Sequence, residues 1–361
     1  MAEVARSVAT AATAAHVDVA LVSASEADGR GRELRFASSI GTTTPHPVSV
    51  VCVNANETVG LLDGLGPDRT SGRYTIGFWF WELSRFPAAW LPAIDRVDEI
   101  WAASAFVRET IVAATSKPVS TVGLVVDATP GRAYSRREFG LRDDAFTFLF
   151  TFNFNSYAAR KNPIGLITAF RDAFPRRNEG VALVLKPLNV DRVGDRMRPL
   201  LAAIDGDPRI TVIDRHLARD EIFGLESVVD SYVSLHRSEG FGLGLAEAMF
   251  LGKPVIGTAY SGNLAFMNAS NSFLLDYRLV PVGAGEYPYP EGQVWAEPDR
   301  DQAIEVMRRL VDDPVVGYEV GARARADMRS KFNAEVIGAA LSSRLGEILP
   351  LSRRSGAGPQ P

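Results

Sequence analysis

YVSLHRSEGFGLGLAEAMFLGKPVIG, residues 232–257, is the most informative stretch of the chain. Its opening residues are apolar and β-rich, and Gly240, Gly242 and Gly244 punctuate the residues after them. Leu243, Ala246, Met249 and Phe250 recur at helical spacing on one face. Gly252 stands where a helix ends in left-handed backbone, and Pro254 opens an apolar run that closes at Gly257. The pattern predicts strand, glycine-rich turn, helix, tight loop and strand: a βαβ unit. Such a turn favours anions, because the first N–H groups of a helix are unpaired and its positive dipole end lies there. Glycines let a ligand approach the backbone closely. Glu239 and Glu247 bracket the turn with seven residues between them. Carboxylates suit an anion site when they reach past a phosphate to the hydroxyls of a sugar and a ribose, so the pair points to a nucleotide-sugar.

On both sides of this unit strands alternate with helices, which predicts an α/β protein with doubly wound parallel sheets. Residues 3–15 read as a helix of small side chains and 16–23 as a strand, followed by a polar loop over 23–33. Strands are expected at 47–55, 73–83, 97–106 and 118–126, with helices between them. The polar segment 127–143, with Pro130 and Gly131, reads as a linker. The pattern then restarts, with strands at 145–155, 181–188 and 209–215 before the βαβ unit. Residues 259–299 are rich in Gly, Pro, Asn and Tyr and read as loop with short strands, and amphipathic helices come next at 300–312 and 315–331. The expected organisation is a domain over 1–130, a second over 131–330, a helix over 331–350 and a disordered tail over 351–361.

A chain of 361 residues suits two domains, at about 150 residues each. The net charge of −4 argues against a nucleic-acid binder. One cysteine, Cys52, allows no internal disulfide and is compatible with a reducing compartment. No apolar run approaches the roughly 18 residues of a membrane span, and the N-terminus lacks the pattern of a secretory signal. The four histidines are scattered, with no His/Cys cluster at metal-ligand spacing. A cytoplasmic protein is expected, with a place at the inner face of a membrane left open.

The run Ser-Glu-Gly-Phe-Gly-Leu-x-Leu-x-Glu-Ala-Met at 238–249 carries more information than the Glu spacing alone. Here the chain resembles the retaining GT-B glycosyltransferases of the GT4 family, the group 1 glycosyl transferases, whose paired-glutamate signature matches at Glu239 and Glu247. The resemblance implies two Rossmann-like domains facing across a cleft, with the donor in the C-terminal domain and the acceptor in the N-terminal one. It implies a metal-independent transferase of the hexosyltransferase type that needs no cofactor. A nucleotide-sugar would be the donor and a saccharide or a lipid-linked molecule the acceptor, in cell-surface or exopolysaccharide synthesis. Peripheral membrane contact is compatible with such an acceptor, and the oligomeric state stays open. The alternative reading is a GT-B-like module that binds a sugar nucleotide or a partner without turnover. Two departures support that alternative. The chain opens on a helix where the family has a preceding strand and glycine-rich loop, and Asn155 stands where many members have an arginine.

Residue by residue, the resemblance gives Lys161 in ARKNP the diphosphate, Glu239 the transferred sugar and Glu247 the ribose. The backbone N–H groups of Phe241, Gly242 and Leu243 would hold phosphate, with Arg160 taking part of the load left by Asn155. Lys186, His236 and Arg237 end strands close to the site and are further donor-side candidates. Ser261, Gly262 and Asn263 fall where the family carries a loop near the donor sugar. Trp81 and Glu82, which end the expected strand 73–83 within the aromatic stretch 77–90, are candidates for contact with acceptor or sugar, with a core role or a lipid-facing patch as the alternative readings of these aromatics.

Overall fold

The computed structural model describes residues 1–23, 40, 41, 43–176, 180–188 and 194–355. Nearly all of the polar loop expected over 23–33, and residues 356–361 of the expected tail, lie outside the described residues. The chain forms two compact units. One gathers Met1–Trp81, Arg85–Val125 and the chain from Lys331 onward; the other holds Glu82–Ser84 and Val126–Ser330.

In the first unit, β1 (Leu21–Val22) and β2 (Ile40–Gly41) pair in parallel. A separate parallel sheet has the order β3 (Val48–Val51), β4 (Tyr74–Phe78), β5 (Glu99–Ala102) and β6 (Val119–Thr121). The central strands β4 and β5 are buried on both faces, as parallel strands commonly are, whereas β3 and β6 at the edges are only partly buried. Ile100, Val107, Ile111 and Trp79 pack into one core cluster. An apolar cavity of about 890 Å³ lies beside β3, lined also by Ala9, Leu21, Leu341 and Leu345. Cys52 lines it, and burial pushes its thiol up to about 12.

The strand expected over 73–83 stops at Phe78. Trp79 N still donates to Trp101 O at 2.9 Å, but Phe80 N turns to the Asn54 side chain at 3.0 Å, which ends the ladder. Helix Ala2–Ala14 packs on helix Ala334–Ser355. Ala9, Ala11 and Ala12 make the approach close, and a Cβ on Gly338 would lie 2.5 Å from Ala11 O. That last helix runs on to Ser355 rather than ending at 350, with Pro350 inside it.

Arg344 fastens this helix to the sheet. Its Nε and Nη2 donate to the two oxygens of Glu99 at 2.8 and 2.7 Å, and Trp101 Nε1 and Ser120 Oγ donate to the same carboxylate at 2.9 and 2.8 Å. Burial opposes ionisation of Glu99, and the donors outweigh it, so its carboxyl sits below the usual range. Arg344→Met leaves a fully buried carboxylate short of its cation. We expect a loss of about 3 kcal/mol, read as a fall in Tm of roughly 10 °C.

The second unit carries a six-stranded parallel sheet built from β7 (Phe146–Asn153), β8 (Val181–Leu188), β9 (Ile210–Val212), β10 (Ser231–Ser234), β11 (Val255–Thr258) and β12 (Phe273–Leu275). The strand order is β12-β11-β10-β7-β8-β9. The chain winds outward from β7 in one direction, then returns to β10 and winds outward in the other. The switch point therefore falls between β7 and β10, and in open α/β sheets ligands bind beyond the carboxyl ends of the strands at that point. An antiparallel hairpin, β13 (Tyr277–Pro281) and β14 (Val294–Pro298), comes after β12.

The segment 127–143, expected as a linker, belongs to this unit. Ser135 N donates to Glu138 to open a short 3-10 turn, and Arg136 pairs with Asp230 at 2.6 Å. Among the described residues no helix is long and apolar enough to cross a membrane.

Candidate functional site

Both halves of the switch point carry charge. After β7 the chain makes a 3-10 turn, Phe154–Ser156, and a one-turn helix, Ala158–Lys161. Asn162 breaks that helix in left-handed backbone (φ 56°) and caps the next one, Pro163–Ala173, by accepting from Gly165 N. Lys161 therefore ends a helical turn instead of starting a helix, because the residue before a proline is disfavoured in the right-handed helical region.

After β10 the residues up to Gly242 form the glycine-rich turn, and it leads into helix Leu243–Phe250. Gly242 has φ 95°, which only glycine adopts without strain. A Cβ on Gly244 would lie 2.5 Å from Tyr232 Oη and 2.9 Å from Thr151 Oγ1, so the first turn of the helix rests directly on β10 and β7.

Lys161 and Glu239 meet. The lysine Nζ donates to Glu239 Oε1, and Arg160 Nη1 lies 3.2 Å from Oε2. Arg160 is buried and fixed: it donates to Ser238 O at 2.5 Å and to Ser156 O at 3.2 Å, and pairs with Glu82 at 3.6 Å. Tyr287, from the hairpin loop, donates its hydroxyl to the other Glu82 oxygen at 2.5 Å. Two cations and two carboxylates thus share one buried cluster.

Burial alone would raise Glu239, but the charges of Lys161 and Arg160 overcome it and bring its carboxyl down to about 2. Burial lowers the Lys161 ammonium, which Glu239 only partly offsets. An ammonium has three donors, so Lys161 can keep Glu239 and still address an anion. Its side chain is 16% exposed against 3% for Arg160, which makes it the cation an incoming ligand can reach.

The remaining candidates divide. His236 is enclosed. Burial brings it to about 4, and its two ring nitrogens meet Ser234 Oγ and Asn263 Oδ1, each at 3.1 Å. Asn263 Nδ2 donates to Thr258 O, so its oxygen accepts, and neutral His236 donates through Nε2. Ser261 Oγ accepts from Glu239 N at 2.8 Å, and Gly262 N donates to Glu239 O at 2.8 Å. Ser261, Gly262 and Asn263 therefore build the turn from beneath. Phe241 packs on Phe266 with ring centroids 5.0 Å apart, and Gly242 and Leu243 stand at the helix tip.

Arg237 is spent on Glu297 at 2.6 Å and Ala159 O at 2.9 Å, with its guanidinium over Trp295. Lys186 is buried and donates to Pro187 O at 2.8 Å, with Arg215 and Asp214 as its charged surroundings. Asn155 is exposed in the middle of the turn Phe154–Ser156, and its N–H donates to the capping side chain of Asn153. Trp81, expected at a strand end with an acceptor-side and a core reading both open, is 1% exposed, in edge contact with Trp90 and donating to Arg85 O at 2.7 Å. Its indole is a core side chain, because the strand had already ended at Phe78 and the chain folds back over the aromatic cluster. Glu82 does lie with the charged cluster, tied to Arg160 and Tyr287.

Glu247 stands one turn into helix Leu243–Phe250, facing Arg219 and Glu226 of helix Arg219–Val228. Burial raises its carboxyl to about 7, with Arg219 offsetting part of this. Tyr287, Arg219 and Glu226 were not legible as site residues from the sequence. Tyr287 sits in a Gly/Pro-rich loop with no periodicity. Glu226 does carry a signal, a glutamate next to Leu225 and three residues after Phe223 on an apolar face. Among the described residues no group of three or more His, Cys, Asp and Glu side chains could hold a metal ion.

No family model matches the chain. A curated trehalose synthase of Pyrococcus horikoshii is 28% identical over 113 residues, which is 31% of this chain and 22% of that protein's length. Among solved structures, sucrose-phosphate synthase of Thermosynechococcus elongatus superposes with a TM-score of 0.63 at 16% identity, covering 85% of this chain and 74% of that one. Anabaena HepE, solved with UDP and glucose, superposes with a TM-score of 0.58 at 16% identity, covering 76% and 72%. Together these likenesses show that the chain has the fold of the GT-B glycosyltransferases.

Proposed function

We propose that the chain is a metal-independent, retaining glycosyltransferase of the GT4 type that takes a nucleotide-sugar donor in its second unit. The observation that carries this reading is the pairing of Lys161 with Glu239 at the switch point, beside a glycine-capped helix tip. Lys161 and the N–H groups of Phe241, Gly242 and Leu243 would receive the diphosphate, Glu239 the hydroxyls of the sugar and Glu247 those of the ribose. HepE was solved with UDP and glucose, which makes a UDP-sugar the first donor to try.

In the reaction, the bond from the anomeric carbon to the diphosphate oxygen breaks and a bond to an acceptor hydroxyl forms. The departing phosphate takes the acceptor proton on the same face, and Lys161 with the helix tip stabilises the charge that develops on it. The acceptor would be a saccharide or a lipid-linked molecule, met in the cytoplasm or at the inner face of a membrane.

The test is incubation with a panel of nucleotide-sugars and released nucleotide as the readout, with the anomeric configuration of the product determined next. Release with retention supports the reading. Binding of UDP without release from any donor favours a binding module without turnover. Inversion removes the retaining assignment. Glu247→Ala is expected to weaken UDP binding about tenfold, the worth of one or two hydrogen bonds to a charged group, with a smaller effect on the maximal rate. Titration calorimetry measures the first and saturating kinetics the second.

A further inference from the structure

Among the described residues, Glu226 is the carboxylate whose two oxygens are both buried without a hydrogen-bond partner. Its side chain is 0% exposed, on the inner face of helix Arg219–Val228. That helix packs against helix Leu243–Phe250, which carries Glu247. The charged groups that bear on Glu226 are Glu247 and Arg219, and Tyr232 on β10 feels it in turn. Arg219 also faces Glu247, so a single guanidinium serves two carboxyls. A buried carboxylate without a donor is not held as an anion; it takes up a proton. Burial, then the charge of Glu247, push Glu226 well above the carboxylate range.

We propose that Glu226 is a neutral acid and a positioning residue, whose hydroxyl donates to the Glu247 carboxylate and holds it for a nucleotide ribose. A protonated carboxyl is a donor, and the carboxyl on the facing helix that can accept from it is Glu247, the more easily ionised of the two. One Glu247 oxygen held in this way leaves the other to accept from the ligand. Both Glu226 oxygens lack a partner in the structure, so a side-chain rotation is required to bring its hydroxyl to Glu247 across the packed helices. The inference rests on the assignment of Glu247 to the ribose.

Two variants and two readouts test it. Glu226→Gln keeps a neutral donor of the same shape, and Glu226→Leu removes the donor. With UDP as probe at pH 7, Glu226→Gln is expected to bind within about twofold of wild type and Glu226→Leu about tenfold more weakly. The second readout needs no nucleotide. An acid whose pKa is raised by folding contributes most below its unfolded value, and that contribution drains away as pH rises towards the folded one. Glu226→Gln has no such loss. Its Tm should match wild type near pH 5 and exceed it by about 5–10 °C at pH 8.

A Tm difference that does not change with pH, or UDP binding by Glu226→Leu equal to wild type, overturns the proposal. So does Glu226→Gln binding as weakly as Glu226→Leu. A wild-type protein that binds no UDP overturns the positioning role together with the reading of the site. The pH dependence of Tm then separates the two failures, by showing whether Glu226 is neutral all the same.

Discussion

Lys161→Ala is expected to lower the rate of sugar transfer by about 10²–10³, the usual effect of removing one preorganised group that meets developing charge. Lys161 is the more exposed of the two cations on Glu239, and Arg160 is committed to Ser238 O, Ser156 O and Glu82. Arg160 therefore cannot stand in for it at the diphosphate. The fold should survive, because Arg160 still pairs with Glu239 at 3.2 Å.

The same variant has an acid signature. Glu239 is held at about 2 by Lys161 and Arg160, below its ordinary 4.5. A depressed carboxyl contributes stability that is present above the unfolded pKa and lost as pH falls towards the folded one. Without Lys161 the folded pKa rises, so the contribution shrinks and the acid unfolding midpoint moves to higher pH. Transfer kinetics at pH 7 and circular dichroism between about pH 5 and pH 2 measure the two effects. A variant with wild-type turnover removes Lys161 from the reaction, and an unchanged acid midpoint removes it from the ion pair.

Gly262→Ala has the second large effect, and it acts through the backbone. A Cβ at this position would lie 2.2 Å from Gly240 O, 2.3 Å from Gly240 C and 2.7 Å from Glu239 O. Main-chain atoms cannot rotate away as a side chain can, so the loop after β11 must lift off the signature turn. Lifting it breaks Gly262 N to Glu239 O and Glu239 N to Ser261 Oγ, the bonds that hold Glu239 in place. The expected loss is about 3–5 kcal/mol, a fall in Tm of roughly 10 °C, with UDP binding lost in what remains folded. Gly64→Ala is the matched control. Nothing lies within 4 Å of its new methyl inside helix Ala55–Leu65. It should gain about 0.5–1 kcal/mol from helix propensity. Thermal melts of the pair separate a packed backbone from an open one.

The glycine and periodicity pattern of 232–257 was enough to read a βαβ unit and the α/β class, since both arise from local backbone demands. The charged pair was partly legible: Lys161 and Glu239 are 78 residues apart, and a strand order that brings β7 beside β10 is what joins them. Strand order is set by tertiary packing, which no local pattern carries. From sequence alone Trp81 stays undecided between acceptor and core for the complementary reason. Alternation along 77–83 places every second side chain outward only while the strand continues, and the Asn54 side chain ends it at Phe80. Tyr287 and Glu226 act through neighbours distant in sequence, so their roles emerge only once the hairpin loop and the two helices are placed.

The Arg344–Glu99 clasp joins residues 245 positions apart. During synthesis the second unit, a largely continuous stretch, is made before helix Ala334–Ser355 is begun. The first unit must wait, with Glu99 lacking its cation and the small-residue face of helix Ala2–Ala14 uncovered. At about 5–20 residues per second that interval lasts on the order of ten seconds or more, so the nascent N-terminal part is the portion that needs chaperone cover.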